Sequence, residues 1–253
     1  MASSKNIIIT GHRGAGGLAP ENTIASIQLA LDLGVDRIEI DVQQTKDNVI
    51  VVLHDRTLRR TTTGVGYVKN KTYDEILKYS AGYKFNRHYV KEKVPTLDQV
   101  IKLINGRAEL LIETKYSFMY YPNIERHIIN IIKNNNAKTW CKVISFNDRA
   151  LFRIHKLDKE IRIGKLFVGK HANLPLSWDK GVNLKPLERY HFVDEIIVKH
   201  SYATASIIER VHAFGKQLHV WTVNDPATIE KLIQRGVDGI ISDYPNLLFR
   251  YKN

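Results

Sequence analysis

Short apolar runs alternate with amphipathic segments along most of this 253-residue chain. The apolar runs are four to six residues long and rich in isoleucine and valine, which is typical of buried parallel strands. They cover residues 7–10, 36–41, 49–54, 109–113, 142–145, 162–167, 195–199, 217–221 and 239–242. Most of the intervening segments have apolar side chains at helical spacing, so the pattern predicts strands that alternate with helices.

Helix start and stop signals support this alternation. The first predicted helix covers residues 23–33, and Pro20 and Asn22 precede it as a start signal, with Asn22 as the N-terminal cap. Gly34 follows as a C-terminal stop. Further helices are predicted at residues 96–104, 124–132, 148–155, 205–214 and 226–234.

Alternating strands and helices pair the strands in parallel through right-handed crossovers. About eight such units in this length predict an α/β fold, a (β/α)8 TIM barrel, formed by a single domain over residues 1–253. A doubly wound parallel sheet is the alternative. Residues 55–95 are too long for a βα loop and predict a small insertion after the second barrel strand. Residues 168–192 fit worst, because the fifth helix is weak there.

Polar side chains stand where the first four apolar runs end, and in a barrel such ends meet at one face. The residues are His12, Arg13, Glu39, Asp41, His54, Glu113 and Lys115. Glu39 and Asp41 are two apart on one strand and therefore point to the same side. Ile38, Ile40 and Val42 then point to the other side and are predicted to pack under the helices.

The carboxylates of this group predict a metal site. Glu39 and Asp41 repel each other unless a divalent cation lies between them, and Glu113 can supply a third ligand. Because all the ligand atoms are oxygen, Mg²⁺ or Ca²⁺ is favoured over zinc. Ordinary salt-bridged carboxylates are the alternative interpretation.

The remaining polar residues complete the parts of a metal-assisted phosphoester hydrolase. Imidazoles have pKa values near neutrality, so His12 and His54 can serve as general acid and general base. Arg13 and Lys115 can neutralise phosphate charge in the transition state. Asp55, next to His54, is interpreted as a turn residue rather than as its orienting partner.

Two further patterns are assigned no catalytic role. Gly14-x-Gly16-x-x-Ala19 matches the dinucleotide fingerprint in form, but His12 and Arg13 separate it from the strand, so no nucleotide cofactor is expected. Asp47-Asn48 joins two strand-like runs and predicts a hairpin turn.

Composition and charge limit the possible partners, metal sites and location of the protein. The net charge is +12, and residues 56–95 carry ten basic and three acidic side chains, a net charge of +7. This excess predicts either a solvated basic surface or an anion-facing cover near the site. The single cysteine, Cys141, excludes an internal disulfide and a cysteine-based zinc cage. No leader-like or membrane-spanning apolar run is found, so a cytoplasmic location is expected.

The polar motifs together resemble the glycerophosphodiester phosphodiesterase family. The stretches that carry the resemblance run from residue 11 to residue 245 and are GHRGAGGLAPENT, EIDVQQTKDNVIVVLHD with the following LRRTT, VPTLDQV, LLIETK, VWTVND and GVDGIISDYP. The family's fold is a TIM barrel, in agreement with the strand and helix pattern. Asn22 matches a motif position in PENT, although the cap interpretation is kept for it.

The resemblance implies roles for particular residues. It implies His12 and His54 as the acid/base pair, and Glu39, Asp41 and Glu113 as ligands of a divalent cation, Mg²⁺ or Ca²⁺. Arg13 and Lys115 are implied as phosphate contacts, and Trp221 as an aromatic wall beside the substrate. The alternative for Trp221 is a buried aromatic at the barrel mouth.

A small-molecule phosphodiester is the expected partner. The resemblance first implies hydrolysis of glycerophosphodiesters to glycerol 3-phosphate and an alcohol. The aromatic residues 116–121 and those of the insertion leave open lysophospholipid hydrolysis and contact with an anionic membrane surface. A non-catalytic anionic phospholipid-binding module is a rival, and so is a nuclease, although nucleic acid is an unlikely partner because no nucleic-acid-binding motif is present. The oligomeric state is not indicated.

Overall fold

The computed structural model describes residues 7–115, 120–168 and 187–252. The strands are β1 (Ile8–His12), β2 (Arg37–Gln44), β3 (Ile50–Val52), β4 (Glu109–Thr114), β5 (Cys141–Ser145), β6 (Arg162–Phe167), β7 (Glu195–Lys199), β8 (Gln217–Trp221) and β9 (Gly239–Ser242). The α-helices are α1 (Ile24–Leu33), α2 (Tyr73–Leu77), α3 (Leu97–Ile104), α4 (Ile124–Asn134), α5 (Asp148–Leu157), α6 (Ala205–Ala213) and α7 (Pro226–Gln234).

Eight parallel strands form a closed barrel. Their order is β1, β9, β8, β7, β6, β5, β4, β2, and β1 also pairs with β2, which joins the two ends of the sheet. Helices α1, α3, α4, α5, α6 and α7 lie between successive barrel strands. The predicted (β/α)8 TIM barrel is confirmed, and closure of the sheet excludes the doubly wound alternative.

The ninth strand is the return arm of a hairpin. β3 pairs antiparallel with the end of β2, with Val42 opposite Val52. Asn48 sits in the turn with φ of 64°, a left-handed conformation that asparagine tolerates. The predicted hairpin at Asp47-Asn48 is therefore confirmed. Because β3 runs antiparallel to β2, the hairpin brings His54, which lies just beyond β3, back alongside β2.

The two faces of β2 have different surroundings, as the two-residue period predicts. Ile38, Ile40 and Val42 are fully buried in the main apolar core, which lies between the strands and the helices. The barrel interior has its own apolar layer, made of Leu111, Ile144, Leu166, Ile197 and Ile241. A filled interior leaves room for a site only above this layer, at the C-terminal ends of the strands.

A buried charged cluster lies nearer the strand N-termini. Glu195 Oε2 is 2.9 Å from Arg37 Nη1 and 2.5 Å from Lys142 Nζ, and Arg37 also pairs with Glu109. His219 joins the cluster through its Nε2, which is 3.2 Å from Arg37 Nη1. Each charge in this cluster has an opposite charge beside it, as burial requires.

Residues 55–95 form a small structure with its own apolar cluster. The cluster contains Leu58, Val68 and Ile76, and Val51 of β3 belongs to it as well. Since the neighbours of Val51, Ile50 and Val52, face the main core, β3 ties this segment to the barrel. The segment contains α2 and two short 3₁₀ helices and is called the insertion below.

Most of the predicted weak helix in residues 168–192 lies outside the described residues; its described part contains a 3₁₀ helix, Leu187–Tyr190. Among the described residues, no helix is both long and apolar enough to cross a bilayer.

Candidate active site

Three carboxylates from two neighbouring strands meet inside the C-terminal end of the barrel. Glu39 and Asp41 point inward from β2, and Glu113 points inward from β4, where it is the register partner of Asp41. One carboxylate oxygen from each of the three lies within 4.8 Å of those from the other two, and all three side chains are buried. The residues predicted as metal ligands therefore lie together.

Two cationic side chains touch this carboxylate cluster. Lys115 Nζ is 3.0 Å from Asp41 Oδ1 and donates to Glu113 Oε1 at 2.7 Å. Arg13 Nε is 3.2 Å from Asp41 Oδ2. The backbone of Arg13 has φ of 56°, an uncommon left-handed conformation, and its amide donates to Glu39 Oε2 at 3.1 Å.

The electrostatics differ among the three carboxyls. Burial, and next the charge of Asp41, raise the pKa of Glu39 to about 8. Burial also raises the pKa of Glu113, although Lys115 works against it. Burial opposes ionisation of Asp41 as well, but the charges of Lys115 and Arg13 outweigh it and lower the pKa of Asp41. Glu39 and Glu113 thus have too little positive charge nearby to offset the cost of burying their ionised forms.

These residues fit a hard divalent cation. Glu39 Oε1 is buried and has no hydrogen-bond partner among the described residues. Three carboxylates face two cationic side chains, and a divalent cation stabilises the ionised form of such a group. Oxygen ligands at this density suit Mg²⁺ or Ca²⁺.

His12 ends β1 and is held from both sides. Its Nδ1 is 2.6 Å from Asp243 Oδ1, and its Nε2 is 3.8 Å from Glu39 Oε2. Burial disfavours the imidazolium, but the hydrogen bond to Asp243 and the charge of Glu39 outweigh burial and raise the pKa of His12. Asp243 belongs to the motif GVDGIISDYP but was not singled out from the sequence.

His54 has a matching partner of its own. Its Nδ1 is 2.6 Å from Asp55 Oδ1, and Gln43 Nε2 donates to its backbone carbonyl at 2.8 Å. Burial and the cations Lys115 and Arg13 lower the pKa of His54, although Asp41 works against them. The interpretation of Asp55 as a turn residue only is therefore wrong: its carboxylate contacts the imidazole because the backbone bends at residues 54–56.

Asn22 is part of the site and not a helix cap. The cap of α1 is Thr23, whose side chain accepts from the Ser26 amide. Asn22 is 2% exposed, its Nδ2 donates to Asp41 Oδ2 at 2.9 Å, and its Oδ1 accepts from the Asp41 amide at 3.2 Å. The prediction that Asn22 caps α1 is therefore wrong. The match to PENT was the sequence signal that favoured a site role.

A cavity of about 240 Å³ opens over these groups. One part of its wall is polar and comprises His12, Arg13, Glu39, His54, Glu113 and Lys115. Most of the rest is apolar and includes Ile144, Phe146, Leu166, Val168, Trp221 and Ile241. Asp41 lies beside the polar part, in contact with Lys115 and Arg13, so all eight predicted site residues surround one space.

The aromatic side of the cavity is built from two strand ends. The rings of Trp221 and Phe146 pack edge to face with centroids 5.4 Å apart. Trp221 Nε1 is buried without a hydrogen-bond partner among the described residues, so it is a donor that a ligand can use.

The aromatic run after Lys115 is described only in part. Residues 116–119 lie outside the described residues. Tyr121 is buried and donates to Gln43 Oε1 at 2.6 Å. The Tyr120 ring lies under two cations of the insertion, 4.6 Å from Arg56 Cζ and 4.1 Å from Lys69 Nζ. The described members of this run thus pack against their own chain.

The chain is similar throughout its length to proteins of one family. Residues 12–247 match the model of the glycerophosphoryl diester phosphodiesterase family. A glycerophosphodiester phosphodiesterase of Caldanaerobacter subterraneus subsp. tengcongensis is 37% identical over 242 residues, which are 95% of this chain and 96% of the relative. One from Bacillus altitudinis is 33% identical over 240 residues, 94% of this chain and 95% of the relative.

Solved structures agree with this similarity. A phosphodiesterase of Oleispira antarctica, solved in complex with the product sn-glycerol-3-phosphate, aligns with a TM-score of 0.85 and 28% identity, over 97% of this chain and 96% of its own. A glycerophosphodiester phosphodiesterase from Agrobacterium tumefaciens aligns with a TM-score of 0.78 and 28% identity, over 95% of this chain and 98% of its own.

Proposed function

Because the chain belongs to the glycerophosphoryl diester phosphodiesterase family, we propose that it hydrolyses glycerophosphodiesters to glycerol 3-phosphate and an alcohol. The observation that carries the proposal is the convergence of His12 and His54 with three carboxylates around one cavity. Relatives that carry this name, and the sn-glycerol-3-phosphate complex of the Oleispira protein, support the substrate class.

Glu39, Asp41 and Glu113 are proposed to hold a divalent cation, Mg²⁺ or Ca²⁺. When bound, the cation supplies positive charge for the phosphate oxygens. The unpartnered Glu39 Oε1 supports this role, because a buried carboxylate oxygen without a donor needs a positive partner.

Arg13 and Lys115 are proposed to bind the phosphate group. Both line the cavity, and both carry their charge at the carboxylate cluster. The monoanionic phosphodiester, or the dianionic phosphate of the product, meets two cations there that are already fixed in position. Little reorganisation is therefore needed on binding. The apolar wall around Trp221 then faces the rest of the substrate.

His12 and His54 are proposed to share the proton transfers. Each imidazole donates through Nδ1 to a carboxylate, Asp243 or Asp55, so each presents Nε2 as the other ring nitrogen. One imidazole takes the proton of the attacking hydroxyl or water, and the other gives a proton to the oxygen that leaves. The Asp243 and Asp55 carboxylates stabilise whichever imidazole is charged.

Lysophospholipid hydrolysis is the second candidate activity. The apolar part of the cavity, with Leu166, Ile241 and Phe146, favours it because it offers carbon rather than hydrogen-bonding groups to the substrate. A lysophospholipid, whose glycerol carries an acyl chain, presents more apolar surface to this wall than glycerophosphocholine does. Substrate comparison therefore decides between the two activities.

We also propose that the insertion contacts an anionic lipid surface. Five exposed large apolar side chains lie in it: Val65, Tyr67, Tyr83, Phe85 and Val90. They share the segment with its excess of basic residues, and the Arg87 guanidinium lies 6.0 Å from the centre of the Tyr83 ring. Apolar side chains beside cations are suited to the interface of an anionic membrane.

Release of choline from glycerophosphocholine tests the main proposal. Wild-type protein is expected to release choline with Mg²⁺ or Ca²⁺ and to lose this activity after thorough chelation with EDTA. His12→Ala and His54→Ala should each lower turnover at least about 100-fold. His88→Ala, an exposed histidine of the insertion, is the matched control and should retain wild-type turnover.

The outcomes separate the parts of the proposal. Activity that survives chelation contradicts the cation, and near-native turnover of a cavity histidine variant removes that histidine from the mechanism. A panel with lysophosphatidylcholine and single-stranded oligonucleotides separates the rival activities. Binding of anionic lipid without hydrolysis of any diester contradicts the enzymatic role altogether.

A further inference from the structure

One arginine of the insertion connects it to two parts of the active site. Arg60 uses both edges of its guanidinium. On one edge, Nε donates to Asp55 Oδ2 at 2.8 Å and Nη2 reaches Asp55 Oδ1 at 3.2 Å. On the other, Nη1 donates to Glu21 Oε2 at 2.6 Å and Nη2 to Glu21 Oε1 at 2.8 Å. Four hydrogen bonds hold one side chain between two carboxylates.

Each of these carboxylates also holds a residue of the cavity. Asp55 Oδ1 accepts from Nδ1 of His54 at 2.6 Å, and Glu21 Oε1 accepts from Nη1 of Arg13 at 2.8 Å. A continuous chain of hydrogen bonds therefore runs from His54 through Asp55, Arg60 and Glu21 to Arg13. Arg60 itself does not line the cavity, so it acts through other residues.

We propose that Arg60 is a positioning residue that holds the His54 imidazole through Asp55 and the Arg13 guanidinium through Glu21. The inference deepens the proposed function and depends on it for the roles of His54 and Arg13. It also gives the insertion a task at the site: its fold brings Arg60 to the junction between the loop after β1 and the loop after β3.

The shape of the guanidinium explains why an arginine stands here. Its planar fork satisfies two carboxylates at once, which the single ammonium of lysine cannot match. Asp55 and Glu21 are partly buried, and burial alone would favour their neutral forms. The hydrogen bonds and charge of Arg60, together with those of His54 at Asp55 and of Arg13 at Glu21, outweigh burial and lower the pKa of both carboxyls. Ionised Asp55 accepts a hydrogen bond from the Nδ1–H group of His54, which leaves Nε2 as the free nitrogen.

Steady-state kinetics of Arg60→Met tests the proposal, with Arg59→Met as the matched control. Arg59 is the neighbouring exposed arginine of the insertion and is not part of the hydrogen-bond chain. Arg60→Met should lower kcat and raise KM for glycerophosphocholine, with kcat/KM reduced about 10- to 100-fold. Arg59→Met should keep both constants within about twofold of wild type.

The contacts of Arg60 form two arms, the His54 arm through Asp55 and the Arg13 arm through Glu21. Single and double variants can separate them. Asp55→Asn should mainly lower kcat, because it loosens the proton-transfer residue, and Glu21→Gln should mainly raise KM, because it loosens the phosphate-binding residue. Combined with Asp55→Asn, Arg60→Met should lower kcat no further, since both changes break the same arm. Full additivity of the two changes, or an Arg60→Met variant that behaves like Arg59→Met, would overturn the proposal.

Two further measurements keep the result interpretable. Imidazole NMR of His54, assigned with His54→Gln, reports its Nδ1 hydrogen bond without turnover. The signal should shift in Arg60→Met and stay in Arg59→Met; an unshifted signal overturns the His54 arm even if wild-type protein hydrolyses no diester and the proposed function fails. If Arg60→Met does not fold, Arg60→Lys replaces it and should show the same two kinetic changes, because one ammonium cannot hold both carboxylates.

Discussion

Asp243 Oδ1 lies 2.6 Å from Nδ1 of His12, although 231 residues separate the two in sequence. The contact forms because β1 and β9 are neighbours in the barrel, so His12 at the end of β1 meets the residue that follows β9. The hydrogen bond to His12 lowers the pKa of Asp243 despite its partial burial. An ionised carboxylate can only accept, so Nδ1 of His12 carries the proton and Nε2 is directed toward Glu39 and the cavity.

Asp243→Asn should therefore impair catalysis while leaving substrate binding nearly intact. The amide can place its NH₂ group toward His12 and favour the wrong tautomer, as happens in serine protease triads, where the loss reaches about 10⁴-fold. We expect kcat to fall at least about 100-fold with KM within about threefold of wild type. Choline release measured over a substrate series gives both constants.

Asp225→Asn is the matched control for this change. Asp225 caps α7 by accepting from the Thr228 amide, and asparagine caps a helix equally well. A loss of kcat of the same size in both variants would show that the effect of Asp243→Asn is not specific to His12.

Trp221→Phe tests whether the unpartnered indole N–H serves the substrate. Phenylalanine keeps an aromatic ring beside Phe146 but removes the buried Nε1 donor. A single hydrogen bond contributes about 0.5–1.5 kcal/mol, so KM should rise about two- to tenfold, with kcat little changed. Trp140→Phe, at the outer side of the barrel, is the control. An unchanged KM in Trp221→Phe leaves the residue as a packing aromatic only.

Cation binding should be visible in thermal stability as well as in activity. A ligand that binds only the folded chain stabilises it by about 2.7 kcal/mol at 100 times its Kd, which raises the melting temperature by about 5–10 °C. Mg²⁺ or Ca²⁺ should produce this rise in wild-type protein and not in Glu113→Gln. Glu160→Gln, which alters an exposed carboxylate, should behave like wild type. A rise that persists in Glu113→Gln removes this residue from the ligand set.

The sequence predicted the part of the site that local geometry determines. Glu39 and Asp41 alternate with apolar residues on one strand, so their shared direction follows from the two-residue period of a strand. Glu113 lies next to the end of the following barrel strand, β4, and parallel register places it beside Asp41. The predicted carboxylate cluster follows from these two facts.

The partners that depend on tertiary structure were not predicted. Asp243 reaches His12 only because the barrel closes, and nothing near Asp243 in the chain signals this contact. The local context of Asn22 predicts a helix cap, but Thr23 takes that position and Asn22 lies buried against Asp41. Local rules are overruled where a buried carboxylate needs hydrogen-bond donors.

The insertion should bind anionic vesicles through its exposed aromatic residues and its basic charge. We expect co-sedimentation with phosphatidylglycerol vesicles, weakened by salt, and little binding to phosphatidylcholine vesicles. Phe85→Ser should reduce the partition coefficient at least about tenfold, since burial of a phenylalanine contributes about 1.5–3 kcal/mol. Leu157→Ser removes an exposed apolar side chain outside the insertion and should have no effect. Equal loss in both variants contradicts a specific lipid-binding surface.

His219 should make the protein less stable in mild acid. Burial, helped by the charge of Arg37 and opposed by Glu195, lowers the pKa of His219 to about 4, whereas an unfolded histidine titrates near 6.5. Between these pH values the unfolded chain binds more protons, so stability falls as pH drops from about 6.5 to about 4. The contribution of His219 is up to about 3 kcal/mol. Urea unfolding across this pH range measures it.

His219→Gln isolates the contribution of this residue from that of other titrating groups. Glutamine can still accept from Arg37 Nη1 but takes up no proton, so the free energy of unfolding should depend less steeply on pH between about 6.5 and 4. Glu195, whose pKa is about 2, affects stability mainly below about pH 4.5, where its unfolded form takes up a proton, and it is unchanged in the variant. His88→Gln, at an exposed position, should leave the slope unchanged. A slope in His219→Gln equal to that of wild type would mean that the folded barrel protonates His219 as readily as the unfolded chain does.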